Sequence, residues 1–222
     1  MNASFTAHDS GAQYNLVEGN ISTSGFMQDF YHGTTGHHTY FRNRIISSEP
    51  SKTTNTQVVS LWTNSRYANA VGNILGTAGY HTIYESSSVG IPGSPNTSIY
   101  VLGYGGTGNV IDPYIPYDPT VASTLLRWGN YDTVNAAVRW LAAEIPADNA
   151  VPANQNLPAS FYLASQPAWW LGSPTPPWPA IGPDVTGGSG PGGYSHANPA
   201  QVCYNNTTID SNYGASNIRL FN

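Results

Sequence analysis

Four short runs of the chain share one pattern of apolar and polar positions, and each of them ends in asparagine. The runs cover residues 14–20, 37–43, 67–73 and 124–130. Their closing asparagines are separated by 23, 30 and 57 residues. A unit that recurs every few tens of residues is typical of a stacked repeat protein. The last step fits two repeats, or one repeat that contains a long excursion.

Aligning the runs on their asparagines predicts which side chains share a face, because side chains two positions apart on a strand point the same way. One face then carries two columns, which are Leu16, Thr39, Asn69 and Leu126, and Glu18, Phe41, Val71 and Trp128. This face as a whole is mostly apolar, so we predict that it points inward. The column that contains Val17, Tyr40, Ala70 and Arg127 is predicted to point outward. The asparagines are predicted to stack at equivalent turns, where asparagine tolerates left-handed backbone and bonds neighbouring backbone groups.

The stretches between the repeats give weaker predictions. Residues 86–119 are rich in glycine and proline, which predicts long loops around a single strand near residues 99–102. Residues 132–144 fit either a short helix or a further repeat in which Asn135 joins the stacked asparagines. The repeat is preferred for residues 131–135 and the remainder is left open.

The C-terminal part of the chain has a different composition. The proline density of residues 152–199 excludes regular helix and central strand. Three tryptophans (Trp169, Trp170 and Trp178) argue against a floppy linker. We therefore predict a coil that covers the open end of the stack, which would otherwise expose apolar surface and unpaired edges. Residues 217–222 are predicted to form a last strand.

Several runs resemble a known superfamily. The runs YNLVEGN, TYFRN and NAVGNILG resemble coils of the pectate-lyase-like right-handed β-helices, and LPASFYLASQPAWW, WPAIGPDV and PAQVCYNN resemble the C-terminal end of large secreted bacterial members. The resemblance implies an all-β fold: a right-handed parallel β-helix, or solenoid, over residues 1–151 and an irregular Pro/Trp-rich C-terminal cap over residues 152–222 of the same domain. It implies no single activity, because this fold hosts lyases, hydrolases, esterases, adhesins and phage spikes.

Composition narrows the choice of partner. Charged residues make up only 9% of the chain, its net charge is −5, and Lys52 is its single lysine. Nucleic acid and anionic membranes are not expected as partners, because both require a basic face. Cys203 is the only cysteine, which excludes an internal disulfide and a cysteine-based metal site. No export signal is visible, yet the Thr/Tyr/Asn-rich composition favours a secreted or cell-surface location.

Together these features predict a secreted carbohydrate-active protein that acts on polysaccharide, as a glycoside hydrolase or a polysaccharide lyase. The alternatives are a non-catalytic polysaccharide-binding or surface module and a self-assembling solenoid fragment. Many tyrosines favour contact with sugar, because aromatic faces stack on sugar rings. The N-terminal strand pattern has nothing before it that would cap a stack. Either the chain is then a piece of a longer solenoid, or a second copy covers this end. The second is preferred, so a homo-oligomer is predicted through residues 4–22, with Phe5, Tyr14 and Leu16 as apolar contacts.

The densest polar cluster lies between Glu18 and Arg44. A glycoside hydrolase needs two carboxyl groups at a set separation, and Glu18 and Asp29 are the predicted pair. A polysaccharide lyase instead needs a base and a cation near the uronate, and His32 or His38 is the predicted base, with Arg42 as the electrophilic support. A competing structural interpretation pairs Glu18 with Arg42 on the next repeat.

His38, Tyr40 and Arg127 are predicted to bind substrate beside this cluster. No metal is expected, because the adjacent His37 and His38 point to opposite faces of a strand and a nearby guanidinium opposes cation binding. No cofactor is expected either. The glycine-rich residues 103–108 lack the strand and helix that surround nucleotide-binding glycine loops.

Overall fold

Short strands dominate the structure, a computed structural model that describes residues 4–86, 96–105, 115–172 and 174–207. The strands are β1 (Phe5–Asp9), β2 (Leu16–Glu18), β3 (Ile21–Ser22), β4 (Phe26–His32), β5 (Thr39–Phe41), β6 (Arg44–Ile45), β7 (Val59–Trp62), β8 (Asn69–Val71), β9 (Ile74–Leu75), β10 (Ile83–Ser86), β11 (Ser98–Tyr104), β12 (Leu126–Trp128), β13 (Asn130–Asp132) and β14 (Ala137–Arg139). The helices are α1 (Thr120–Thr124) and α2 (Pro199–Asn206), and 3-10 turns span Ala142–Glu144 and Pro191–Gly193.

These strands form three sheets. The first sheet has the order β1-β4-β7-β11-β10, the second β12-β8-β5-β2 and the third β14-β13-β9-β6-β3. From β1 to β10, consecutive strands enter the first, second and third sheets in turn. The pairings of these strands are parallel except that of β13 with β14. In the second sheet the four aligned runs pair directly and in register, which confirms the sequence alignment.

The predicted stack of asparagines is confirmed. The Asn43 side-chain oxygen accepts the backbone N–H of Asn20, the Asn73 oxygen accepts that of Asn43, and the Asn130 oxygen accepts that of Asn73, at 2.9–3.0 Å. Each side-chain amide also donates to the oxygen of the next asparagine. Because β12 pairs with β8, the step of 57 residues is one repeat with a long excursion.

The residue before each stacked asparagine has left-handed backbone, which turns the chain from the second sheet to the third. Three of these positions are glycine, with φ of 74° at Gly19, 65° at Gly72 and 67° at Gly129. The fourth is Arg42, with φ of 50°. A non-glycine residue in this conformation costs about 1 kcal/mol or more, so other contacts of Arg42 must stabilise it.

The faces of the second sheet are the reverse of those predicted. Tyr40 and Ala70, predicted to point outward, are buried in the main apolar cluster, which contains residues of all three sheets. Leu16, predicted to point inward, is 39% exposed. Phe41 and Val71 are buried neighbours on adjacent strands, as expected, but on the outer face, where Phe161 covers the Phe41 ring at 4.0 Å.

The predicted fold class also requires correction. The described residues form three mostly parallel sheets with a few short helices, which is an α/β-type arrangement and not a clear all-β right-handed β-helix solenoid. The short helix considered at residues 132–144 does not form, since β14 and a 3-10 turn lie there, and the α-helices that do form were not predicted. One of them, α2, begins at Pro199, where the Asn198 side chain accepts the backbone N–H of Gln201 in the usual N-cap manner.

The remaining sequence predictions have mixed outcomes. The strand expected near residues 99–102 is β11. Asn135 does not join the asparagine stack, because its side chain and backbone bond the Asp132 carboxylate in the turn before β14. The strand expected at residues 217–222 lies outside the described residues. Between residues 152 and 198 the described chain is coil, apart from one 3-10 turn and an isolated bridge, as its prolines predicted.

Candidate functional site

The predicted carboxyl pair lies on two different sheets. Glu18 is on β2 in the second sheet and is partly exposed, whereas Asp29 is on β4 in the first sheet and is fully buried. His32 is also on β4, three residues after Asp29. The structure therefore brings Asp29 and His32 together on one sheet and leaves Glu18 apart from them.

Asp29 has a histidine partner that the sequence did not suggest. Nδ1 of His8 lies 2.6 Å from Oδ2 of Asp29, and Oδ1 accepts the backbone N–H of Tyr31 at 3.1 Å. The His32 ring stands edge-on to the His8 ring at 4.7 Å. A buried carboxylate that holds one imidazole nitrogen fixes the orientation of the ring. The described residues contain no group of three His, Cys, Asp or Glu side chains arranged to hold a metal ion.

Arg42 holds the C-terminal segment against the second sheet. Its side chain is 2% exposed. Both terminal nitrogens bind the Asp184 carboxylate, at 2.6 and 2.8 Å, while Nη1 donates to the carbonyl of Ile181 and Nε to that of Pro158. All five guanidinium hydrogens point to acceptors of this segment, because Nη2 also approaches the Leu157 carbonyl at 3.4 Å. Arg42 thus pairs with Asp184, and not with Glu18.

The residues predicted to bind substrate have buried side chains. The Tyr40 hydroxyl accepts the Gln28 amide inside the core, and burial raises the pKa of Tyr40. Arg127 binds Glu85 and lies over the rings of two core tyrosines. His38 is fully buried beside Phe5. The structure does not place these three side chains on a common solvent-facing surface.

Two buried histidines predict a loss of stability in acid. Burial lowers the pKa of His38 and of His81. His81 is neutral with its proton on Nε2, because Nδ1 accepts the Thr77 N–H at 2.8 Å and Nε2 lies 2.9 Å from the Thr56 carbonyl. In the unfolded chain histidine titrates near pH ~6.5, so the unfolded state binds more protons below that pH.

We therefore expect the free energy of unfolding to be intact above about pH 6.5 and to fall as the pH drops through and below that value. Urea denaturation at a series of pH values measures it. The variant His81→Gln should be less stable at neutral pH but should lose less on acidification than wild type. Parallel pH profiles for the two proteins would contradict this account.

The C-terminal segment and the first repeat enclose an open cleft of about 430 Å³. We call it the tryptophan cleft. Its floor includes Leu16 and Glu18 of β2, and its walls come from the coil before α2. Its aromatic lining consists of Tyr162, Trp169, Trp170 and Trp178.

The aromatic rings in the cleft differ in how firmly they are held. Trp170 packs beside a small apolar cluster, and its Nε1 donates to the carbonyls of Pro176 and Pro177 at 3.1 and 3.2 Å. Trp169 lies next to it, with ring centroids 5.8 Å apart, and is 63% exposed. Tyr162 is 82% exposed. A fixed indole therefore supports an exposed one, and both border the same opening.

The polar groups of the cleft are few. Glu18 Oε2 accepts the backbone N–H of Phe161 at 2.9 Å, which attaches the aromatic segment to β2. The Asn198 side chain donates to the Gly19 carbonyl at 2.8 Å and closes the other side. Of the described residues that line the cleft, Glu18 and Arg42 are the charged ones. The Arg42 guanidinium already binds the Asp184 carboxylate.

Sequence reasoning placed Glu18 and Arg42 in a site but missed the aromatic wall. The three tryptophans were interpreted only as parts of a coil that covers the stack. The sequence feature that could have revealed this wall is the presence of three large aromatic rings in a proline-rich stretch, which can hold them rigidly in coil. Such a stretch can present a ring to solvent as well as bury it, as Trp169 shows.

The described part of the chain contains no helix with the length and apolarity that a membrane span requires. The resemblance to the pectate-lyase-like superfamily stays a prediction. No family model, no curated protein and no solved structure matches the chain, so the functional conclusion rests on the residues of the cleft.

Proposed function

We propose that this chain binds a neutral polysaccharide in the tryptophan cleft. The observation that carries the proposal is the pair of exposed rings, Trp169 and Tyr162, that border an open cleft beside the carboxylate of Glu18. Indole and phenol rings stack on the C–H faces of sugars, and their polar tips bond to hydroxyl groups. Sites that recognise ligands combine such apolar area with a few polar groups in this way.

The charges favour a neutral sugar over an acidic one. The chain has a net charge of −5, and Glu18 adds a negative charge to the cleft. Arg42 offers little to a uronate, because its guanidinium is buried and already binds Asp184. An acidic polysaccharide would therefore meet repulsion that no free cation of the described lining offsets.

The geometry favours binding over cleavage. A glycoside hydrolase uses two carboxyl groups that flank the bond, whereas Glu18 is the only carboxylate among the described residues that line the cleft. A polysaccharide lyase needs cations to neutralise its uronate, and Arg42 is not available for this. Of the functions expected from the sequence, the non-catalytic polysaccharide-binding module is thus best supported. Its expected location outside the cell and its self-association through residues 4–22 remain predictions.

The first test of this proposal is the variant Trp169→Ala. We expect its affinity for the bound polysaccharide to fall about five- to thirtyfold, because a solvent-exposed stacking ring of this kind contributes roughly 1–2 kcal/mol. Affinity electrophoresis against neutral glucans, xylans, mannans and galactans, followed by calorimetry, provides the measurement. The matched control is Tyr204→Ala, an exposed aromatic ring on α2 that does not line the cleft. Equal affinities for wild type and Trp169→Ala would refute the proposal.

A second test separates a binding protein from an enzyme. The variant Glu18→Gln keeps the shape of the side chain and removes its charge. We expect it to retain polysaccharide binding within a few-fold of wild type, and we expect neither protein to release reducing ends or unsaturated products. A turnover that Glu18→Gln abolishes would replace the binding function with hydrolysis.

A further inference from the structure

A second cavity of about 440 Å³ lies on the outer face of the second sheet. We call it the trough. Its floor is formed by equivalent positions of the four repeats, which are Leu16, Thr39, Asn69 and Leu126. Tyr14 borders it on one side and Phe161 on the other. The trough therefore runs across the strands, along the direction in which the repeats stack.

The Tyr14 side of the trough continues as a row of stacked rings. The Tyr14 and His37 rings are 4.8 Å apart, and those of His37 and Tyr67 are 5.1 Å apart. All three residues have left-handed backbone, with φ of 58°, 58° and 60°. This conformation is unfavourable for bulky side chains, yet Tyr14 and Tyr67 are 75% and 53% exposed and bury little surface in return. Strained backbone conformations cluster at functional sites, so this row of exposed rings is a candidate for ligand contact.

The floor of the trough presents polar groups in a fixed arrangement. The Asn69 amide donates to the Thr39 hydroxyl oxygen at 3.2 Å. This bond leaves the Thr39 hydroxyl proton and the Asn69 carbonyl oxygen as a donor and an acceptor for a ligand. Leu16 and Leu126, at the two ends of the row, provide apolar contacts. Such a surface matches a sugar, which presents hydroxyl groups at its edges and C–H groups on its faces.

The trough adjoins the tryptophan cleft. Leu16 lines both of them. The ring of Phe161 lines the trough, while its backbone N–H binds Glu18 of the cleft. A chain that leaves the cleft over Leu16 would therefore enter the trough directly.

We infer that the trough is a second subsite for the same polysaccharide chain, which lies across the strands of the second sheet. The inference rests on the proposed function and adds the length and direction of the ligand to it. Four strands at about 4.8 Å spacing give a floor of roughly 14 Å, enough for about three sugar rings. The ligand is thus a linear, neutral polysaccharide longer than the tryptophan cleft alone would hold.

The experiment is a length series. We measure by calorimetry the affinities of the full chain for β-1,4-linked gluco-, xylo- and manno-oligosaccharides from disaccharide to octasaccharide. We expect the longest members of the bound series to bind about tenfold more tightly than those that fill the cleft alone. Asn69→Ala and Tyr14→Ala, which change residues that line the trough but not the tryptophan cleft, should remove this gain and leave the affinity for the shortest ligands unchanged. Trp169→Ala should lower the affinity at every length.

The possible failures are distinguishable. A protein that binds short and long ligands equally, or whose length dependence survives both trough variants, keeps the proposed function but overturns this inference. A protein that binds neither these oligosaccharides nor the neutral polysaccharides overturns the proposed function itself. Light scattering tests whether another copy of the chain occupies the trough: a dimer that Tyr14→Ala dissociates would overturn the inference, because a second copy would then cover the trough. Circular dichroism confirms that each variant is folded.

Discussion

Replacing Asn73 by alanine is expected to destabilise the protein by about 3–4 kcal/mol. Asn73 is buried in the middle of the asparagine stack. Its oxygen accepts the backbone N–H and the side-chain amide of Asn43, and its own amide donates to the carbonyl of Tyr40. Alanine leaves these buried groups without partners, and each such loss costs about 1–3 kcal/mol. Urea denaturation followed by tryptophan fluorescence measures the change.

The same stack provides the matched control. Asn20, at its end, is exposed, and its side-chain oxygen accepts no bond from another asparagine of the described residues. Asn20→Ala removes donors that water can replace, so we expect a loss below about 1 kcal/mol. Similar losses for Asn20→Ala and Asn73→Ala would mean that burial in the stack does not set the contribution of these bonds.

Replacing Arg42 by glycine should release the C-terminal segment, although glycine suits the backbone at this position better. With φ of 50°, glycine relieves about 1 kcal/mol of strain. The variant, however, loses the bonds to Asp184, Ile181 and Pro158. The net expected loss is about 2 kcal/mol, discounted because Asp184 is half exposed. Limited proteolysis should cut the variant between residues 157 and 184 much faster than wild type.

Two further variants test this explanation. Gly182→Ala keeps Arg42 but places a methyl group against its guanidinium, so we expect the same protease sensitivity. Arg66→Ala removes an arginine whose partner is Asp118, away from the C-terminal segment, and should leave that segment protected. If Arg42→Gly resists protease as well as wild type does, Arg42 is not what holds the segment in place.

The repeat was predictable because its asparagine has a requirement that few other side chains meet. At Asn43 and Asn73 the side-chain oxygen accepts from the preceding repeat, while the side-chain amide donates both to that repeat and to the asparagine of the next one. Among side chains of this size, only an amide offers both functions at a fixed separation. The spacing of asparagines alone therefore revealed the register of the second sheet, even across the 57-residue step.

Which face of the second sheet points to the interior was not predictable, because both of its faces are covered. The Tyr40 column packs in the interior, and the Phe41 column is buried on the outer side beneath Phe161. When both faces carry apolar residues, alternation cannot distinguish them, and a shift of one residue exchanges every side chain. The short helices escaped notice for a similar reason: α1 has only five residues, too few for a helical period to appear.

The site was only half predictable. Glu18 and Arg42 were identified from their place in the repeats, and both line the cleft. The rings that complete the cleft come from residues about 140 positions later, for which no local pattern signals proximity to β2. Asp29 was grouped with Glu18 because it is near in sequence. In the structure the two belong to different sheets.

The asparagine stack allows the connections between repeats to differ in length, but it fixes the position at which each run must start. Steps of 23 and 57 residues reach the same register. Closing the longer loop costs only about 0.8 kcal/mol more in conformational entropy than closing the shorter one. Extra residues between two asparagines therefore leave the sheets undisturbed, provided that the next run starts at the right position. Evolution can lengthen these connections, and a designer can graft a foreign peptide into one, whereas a single residue added inside a run would displace every strand that follows.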